Sequence, residues 1–105
     1  MVEALRLPAH QPTSVGAMLK EEFLEPLKIT QGEQAKAMGV SRKTVNELCG
    51  NHRGVTAETA FLLAKVLGTT PEFWLNLQYM NDMWLAMHKE SLAKKVAAAK
   101  SLVAA

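Results

Sequence analysis

The chain has 105 residues, 49% of them hydrophobic and 21% charged, and its formal net charge is +2. This composition is typical of one compact domain and excludes a largely disordered chain. A single cysteine excludes an internal disulfide framework and a cysteine-rich zinc site, and no apolar run is long enough to span a membrane.

The first two helices are marked by polar capping residues. Thr13 or Ser14 can cap the first helix, and Pro26 marks its end. Thr30 followed by Glu33 is a capping-box pattern, which opens a second helix. A short turn therefore separates these two helices.

Three further helices follow, and no strand pattern is readable in the sequence. Ser41 caps a third helix, and Thr56 caps a fourth that ends at Gly68. Thr70 followed by Pro71 opens a longer fifth helix, because proline is favoured at the first helical position. The sequence therefore predicts an all-α fold of five helices.

The helical domain is expected over residues 14–88, between an N-terminal arm at 1–13 and a tail at 89–105. The tail is basic, with the lysines Lys89, Lys94, Lys95 and Lys100. It can form a helix with Leu92 and Val96 on one side, but we expect a frayed terminus there. Such a tail can dock a partner or add nonspecific affinity for DNA.

The second and third helices have the spacing of a helix-turn-helix. Ala35 supplies the small residue that is needed where the helices cross, and Gly39 supplies positive φ in the tight turn. Val45, Leu48 and Cys49 share the inner face of the third helix. The residues left for its outer face are Lys43, Asn46, Glu47 and Gly50, with Arg42 and Thr44 at the margins.

This outer face carries the side chains that read double-stranded DNA. Arginine, lysine and asparagine pair with guanine, adenine and phosphate in the major groove. Gln31 and Gln34, near the start of the second helix, suit phosphate contacts beside the positive end of the helix dipole. Asn51 and Arg53, in the following loop, can contact the flanking backbone. The alternative is an ordinary helical hairpin with a polar surface.

Three motifs carry a resemblance to a known family. They are EEFLEPL at Glu21–Leu27, GVSRKTVNELCG at Gly39–Gly50 and LGTTPEFWLNLQ at Leu67–Gln78. Over about residues 16–84 the chain resembles the HigA-type antitoxins, also labelled virulence-associated protein I, of the phage-repressor-like (Xre) helix-turn-helix class. The third motif is the most specific, since a generic repressor-like domain does not require it. Ser14–Ala17 departs from the His-Pro-Gly-Glu that is usual in the family.

The resemblance implies a lambda-repressor-like fold and a homodimeric antitoxin. Such proteins bind operator DNA, repress their own operon and neutralise a HigB/RelE-like mRNA endonuclease toxin. Two alternatives remain, a free-standing Xre-type regulator without a toxin and a protein-interaction module that no longer binds DNA. By position, the resemblance implies DNA reading by Arg42, Lys43, Thr44 and Asn46, with Gln31, Gln34 and Ser41 on the backbone.

The fifth helix carries more apolar surface than one small core covers. We expect a second buried surface there, either a two-fold dimer contact or a toxin contact. A dimer would place two reading helices roughly 34 Å apart on palindromic DNA. The alternatives are a helix central to the monomer core and stacking on single-stranded nucleic acid. The expected contact residues are Phe73, Trp74, Leu77, Tyr79, Met80, Met83, Trp84 and Met87.

Catalysis has no supporting pattern in the sequence. His10, His52 and His88 match no metal-ligand spacing, and Cys49 lies on the predicted inner face. No glycine-rich phosphate loop is present. We therefore expect no enzyme activity, no cofactor and no metal. The start of the chain has no readable secretory signal, so a cytoplasmic location is expected.

Overall fold

The computed structural model describes residues 9–103, which form six helices and contain no strand. The helix α1 begins as an α-helix and continues as a π-helix. The helices are α1 (Val15–Ala17 and Met18–Leu24), α2 (Gln31–Met38), α3 (Arg42–Cys49), α4 (Ala57–Leu67), α5 (Pro71–Met87) and α6 (Glu90–Ala98). The all-α prediction is confirmed. The count of five is too low because part of the tail forms α6.

The predicted caps occur at the helix starts. Ser14 Oγ accepts a hydrogen bond from the Ala17 N–H at 3.0 Å, so α1 is capped despite its departure from the family pattern. Thr30 and Glu33 form the complete capping box of α2. The hydroxyls of Ser41, Thr56 and Thr70 cap α3, α4 and α5 in the same way. Residues 1–8, most of the predicted arm, lie outside the described residues.

One apolar core joins the first five helices. Its largest fully buried apolar side chains are Leu19 of α1, Leu48 of α3, Leu63 of α4 and Trp74 of α5. Ala35 is 3% exposed, as expected for the small residue at the crossing of α2 and α3. This core fixes α3 against α1 and α2 and leaves its other side exposed.

Trp74 belongs to this core, so its prediction as a partner contact is wrong. Its side chain is fully buried, and the indole Nε1 donates a hydrogen bond to Thr69 Oγ1 at 2.7 Å. Its ring centroid lies 5.4 Å from that of Phe23 and 5.1 Å from that of Phe73. Because Trp74 fills the junction of α1 and α5, it has no surface left for a second protein.

Candidate nucleic-acid interface

The turn between α2 and α3 has the geometry that the sequence predicts. Gly39 has φ of +73°, and the Val40 N–H donates to Ala35 O at 3.0 Å. A Cβ on Gly39 would meet nothing within 4 Å, so the left-handed backbone is what favours glycine here. Ser41 Oγ accepts from the Thr44 N–H at 3.1 Å and starts α3 immediately after the turn.

The helix α3 has one buried and one exposed side. Val45 and Leu48 are fully buried. Arg42, Lys43 and Asn46 are exposed, whereas Thr44 is partly buried and its hydroxyl lies 3.0 Å from Ser41 Oγ. The structure therefore brings the predicted cations and the asparagine together on one accessible surface.

Asn46 is held by a residue of α2. Its Nδ2 donates a hydrogen bond to Gln31 Oε1 at 3.1 Å. The amide of Asn46 keeps its oxygen and its second N–H for a base edge, since an asparagine carries two donors and an acceptor. Gln31 is left with its own Nε2 donors, which suit a phosphate. A contact between the two helices of the motif thus sets the orientation of the exposed Asn46 amide.

Gln34 is buried in the monomer, so its prediction as a phosphate contact is wrong. The residue is 0% exposed and lies on the inner face of α2 with Ala35 and Met38. Among the described residues, neither Oε1 nor Nε2 of Gln34 has a hydrogen-bond partner. A side chain in this position has no path to a DNA backbone outside the protein.

The loop after α3 is fastened to the rest of the domain. Asn51 has φ of +59°, its Oδ1 accepts from the Gly16 N–H at 2.8 Å, and its Nδ2 donates to Ser14 Oγ at 3.0 Å. The Val55 N–H donates to Gln78 Oε1 of α5 at 3.0 Å. The side chain of Asn51, predicted to contact DNA, is therefore engaged within the fold.

Arg53 of the same loop pairs with Glu47 of α3. The distance from Arg53 Nη2 to Glu47 Oε1 is 2.8 Å, and from Nε to the same oxygen 3.2 Å. The hydrogen bond from Arg53 holds the pKa of Glu47 below its usual range. The guanidinium remains on the same side of the domain as the exposed residues of α3 and is half exposed.

A family profile described as "Helix-turn-helix" matches residues 20–74. Antitoxin HigA-1 of Vibrio cholerae serotype O1 is 52% identical over 80 residues, which are 76% of this chain and 75% of that protein. An uncharacterized HTH-type transcriptional regulator of Haemophilus influenzae is 44% identical over 90 residues, 86% of this chain and 84% of that protein.

The chain belongs to the helix-turn-helix family that includes the HigA-type antitoxins. A solved structure of the antitoxin GraA in complex with its operator superimposes with a TM-score of 0.81 at 35% identity. The match covers 96% of this chain and 100% of that one. The antitoxin resemblance drawn from the sequence motifs is thereby confirmed.

A buried asparagine of α5 is hydrogen-bonded to the segment before α1, which the sequence motifs did not indicate. Asn81 is only 8% exposed, and its Nδ2 donates to Thr13 O at 2.8 Å and to Leu77 O at 2.9 Å. Gln78 Nε2 donates to Asp82 Oδ1 at 2.8 Å. The sequence does contain a signal for these hydrogen bonds. Gln78 and Asn81, three residues apart, are polar residues in an otherwise apolar part of α5.

The C-terminal half of α5 leaves apolar side chains in solvent. Tyr79 and Met87 are 49% and 46% exposed. Met83 and Trp84 are partly buried, and the Trp84 ring lies against that of His88 with the centroids 4.2 Å apart. The other predicted contact residues, Phe73, Leu77 and Met80, are partly buried as well. Phe73 and Leu77 pack against the core of the monomer.

The described part of the chain offers no group of three His, Cys, Asp or Glu side chains that could hold a metal ion. Cys49 is partly buried, and burial raises the pKa of its thiol, which disfavours the nucleophilic thiolate. No helix within residues 9–103 is both long and apolar enough to cross a membrane.

Proposed function

We propose that the chain is the antitoxin of a type II toxin–antitoxin module, which binds operator DNA as a homodimer and represses its own operon. The observation that carries the proposal is the exposed set of Arg42, Lys43 and Asn46 on a helix whose other side is packed in the core. The likeness to GraA, which was solved in complex with its operator, supports operator binding. As an operator-binding protein the chain would act in the cytoplasm, without catalysis or a cofactor.

In this proposal α3 enters the major groove. Lys43 and Asn46 contact base edges, while Arg42 lies at the margin of the helix. Gln31 serves twice, because it orients Asn46 and offers donors to a phosphate. The remaining backbone contacts come from Ser41 and Thr44 at the start of α3 and from Arg53 in the loop. Asn51 supports that loop through its bonds to α1.

The dimer contact is assigned to the exposed apolar side of α5. Tyr79, Met83 and Met87 lie there with Met80 and Trp84 beside them. Burial of these side chains against a second copy would remove apolar surface from water. A two-fold axis through this contact would present two α3 helices to successive major grooves, roughly 34 Å apart.

DNA reading is tested with a duplex of the region upstream of the chain's own gene and with a random duplex. Lys43→Ala or Asn46→Ala is expected to cost about 1–3 kcal/mol on the upstream duplex and to relax base preference. Lys65→Ala, which removes an exposed lysine of α4, is the matched control. Equal weakening on both duplexes would contradict a base-reading role.

Toxin neutralisation is tested by co-expression with the neighbouring small open reading frame. The expected result is a co-purifying complex and rescue of growth that the neighbour alone arrests. A neighbour that is harmless or does not bind would leave the second candidate, a free-standing regulator. The similarity to a transcriptional regulator of Haemophilus influenzae is the observation that favours this candidate.

A further inference from the structure

Glu47 is an acid in α3, next to the exposed Lys43 and Asn46 that are expected to contact DNA. Successive residues of an α-helix are about 100° apart, so Lys43 and Glu47 stand one turn apart. Both lie opposite the fully buried Val45 and Leu48. When the buried side of α3 faces the core, Glu47 lies on the outer side of the helix beside Lys43 and is partly exposed.

The carboxylate of Glu47 is held in place with one oxygen unused. Both hydrogen bonds from Arg53 end on Oε1, and among the described residues Oε2 accepts none. The positive charges of Arg53 and Lys43 add to these bonds in keeping the group ionised. Oε2 is therefore a fixed acceptor without a donor, on the exposed side of the helix.

We propose that Glu47 is a specificity-determining residue that accepts a hydrogen bond from the exocyclic amine of cytosine in the major groove, with Arg53 as its positioning residue. The inference rests on the proposed DNA-binding function. A carboxylate can only accept, and guanine and thymine present acceptors at this edge. Adenine has a donor, but its N7 acceptor lies beside it and repels the carboxylate. Cytosine is the base that offers a donor alone.

The same carboxylate disfavours binding to the wrong sequence. Phosphates repel the Glu47 carboxylate on every sequence. Only a cytosine amine opposite the carboxylate offsets that repulsion. Replacement by glutamine keeps the shape and removes the charge. It also adds an amide donor, which suits the acceptors of the other bases. Glu47→Gln is therefore expected to lose discrimination while keeping or gaining affinity for random DNA.

The test is parallel selection from a pool of randomised duplex DNA, using the full chain as wild type and as Glu47→Gln. The wild type is expected to enrich a motif with a C·G pair at two-fold-related positions, and Glu47→Gln to lose the preference at those positions only. Replacing that pair should weaken the wild type about tenfold and the variant much less. Glu22→Gln, which removes an exposed charge from α1, is the matched control and should keep the motif.

A second variant tests the positioning role of Arg53. Arg53→Gln should reduce the preference for the same C·G pair, whereas a phosphate contact alone would weaken all sequences alike. Thermal unfolding of each variant shows that the domain is intact.

The two proposals fail differently. If the wild type enriches no motif, the proposed DNA-reading function fails. If it enriches a motif whose every position is kept by Glu47→Gln, the role of Glu47 alone is overturned. The role of Glu47 is also overturned if Glu47→Gln weakens selected and random duplexes equally.

Discussion

Asn51 Oδ1 accepts a hydrogen bond from the Gly16 N–H at 2.8 Å, so the loop after α3 also satisfies a backbone donor in the first turn of α1. A Cβ on Gly16 would lie 2.8 Å from that oxygen and from Leu48 O, and it would also meet Cys49 O. The backbones of α1 and α3 are therefore too close for any side chain at this position. This junction sets how closely α1 and α3 pack against each other.

Gly16→Ala is expected to lower the free energy of unfolding by about 2 kcal/mol or more, because backbone atoms of α3 must move away from the new methyl group. Urea denaturation measures the change. The matched control is Gly32→Ala in α2, where the nearest atom that a Cβ would meet is Thr30 Oγ1 at 3.9 Å. That substitution should raise stability by up to about 1 kcal/mol. Equal effects of the two substitutions would contradict the close approach.

Gln34→Met is expected to raise the free energy of unfolding by about 1 kcal/mol. The buried amide of Gln34 has no partner among the described residues, and methionine fills a similar volume without polar atoms. Chemical denaturation measures stability, and binding to the upstream duplex should be unchanged. A variant that folds normally but binds DNA more weakly would restore the contact role that the structure contradicts.

Thr69→Val is expected to destabilise the fold by about 1–3 kcal/mol, because it removes the acceptor of the buried Trp74 indole N–H. Valine has nearly the shape of threonine, so packing changes little. Thr69→Ser keeps the hydroxyl and is the matched control, with a smaller loss. Thermal unfolding compares the two, and a Thr69→Val protein as stable as wild type would show that this hydrogen bond contributes little.

The capping box should make stability depend on pH. The hydrogen bonds from Thr30 hold the pKa of Glu33 below its ordinary value of 4.5. A group with a lowered folded pKa stabilises the fold above its unfolded pKa and loses that contribution as the pH falls through the folded value. The wild type should thus be more stable than Glu33→Gln at neutral pH, and the difference should shrink below pH 4.5. A difference that is constant from neutral to acid pH would contradict the role of the charge.

The features that follow from local sequence were predictable. Caps such as Ser14 and Thr30 bond to backbone groups three residues away. Gly39 adopts the positive φ that the turn requires at its own position. Gln34 was misplaced because its residue type favours solvent while its position favours the core. It adjoins Ala35 on the inner face of α2, and the burial of that face includes this polar residue.

Contacts between distant residues were not predictable. Trp74 is buried by Phe23, which is far away in sequence, and by a hydroxyl five residues earlier. An aromatic residue on a helix with several apolar arcs does not reveal which arc faces the core. The pairing of Glu47 with Arg53 likewise depends on the path of the loop, which composition does not specify.

The hydrogen bond between Asn81 and Thr13 joins positions 68 residues apart. It thereby connects the segment before α1 to α5, across nearly the whole length of the domain. A chain emerging from the ribosome presents α1 to α4 long before α5 is available to hold the segment in front of α1. The last step in the assembly of the domain is therefore the packing of α5. Nascent chains cut short before Asn81 would lack this anchor, and the segment before α1 would be the first part exposed to proteases.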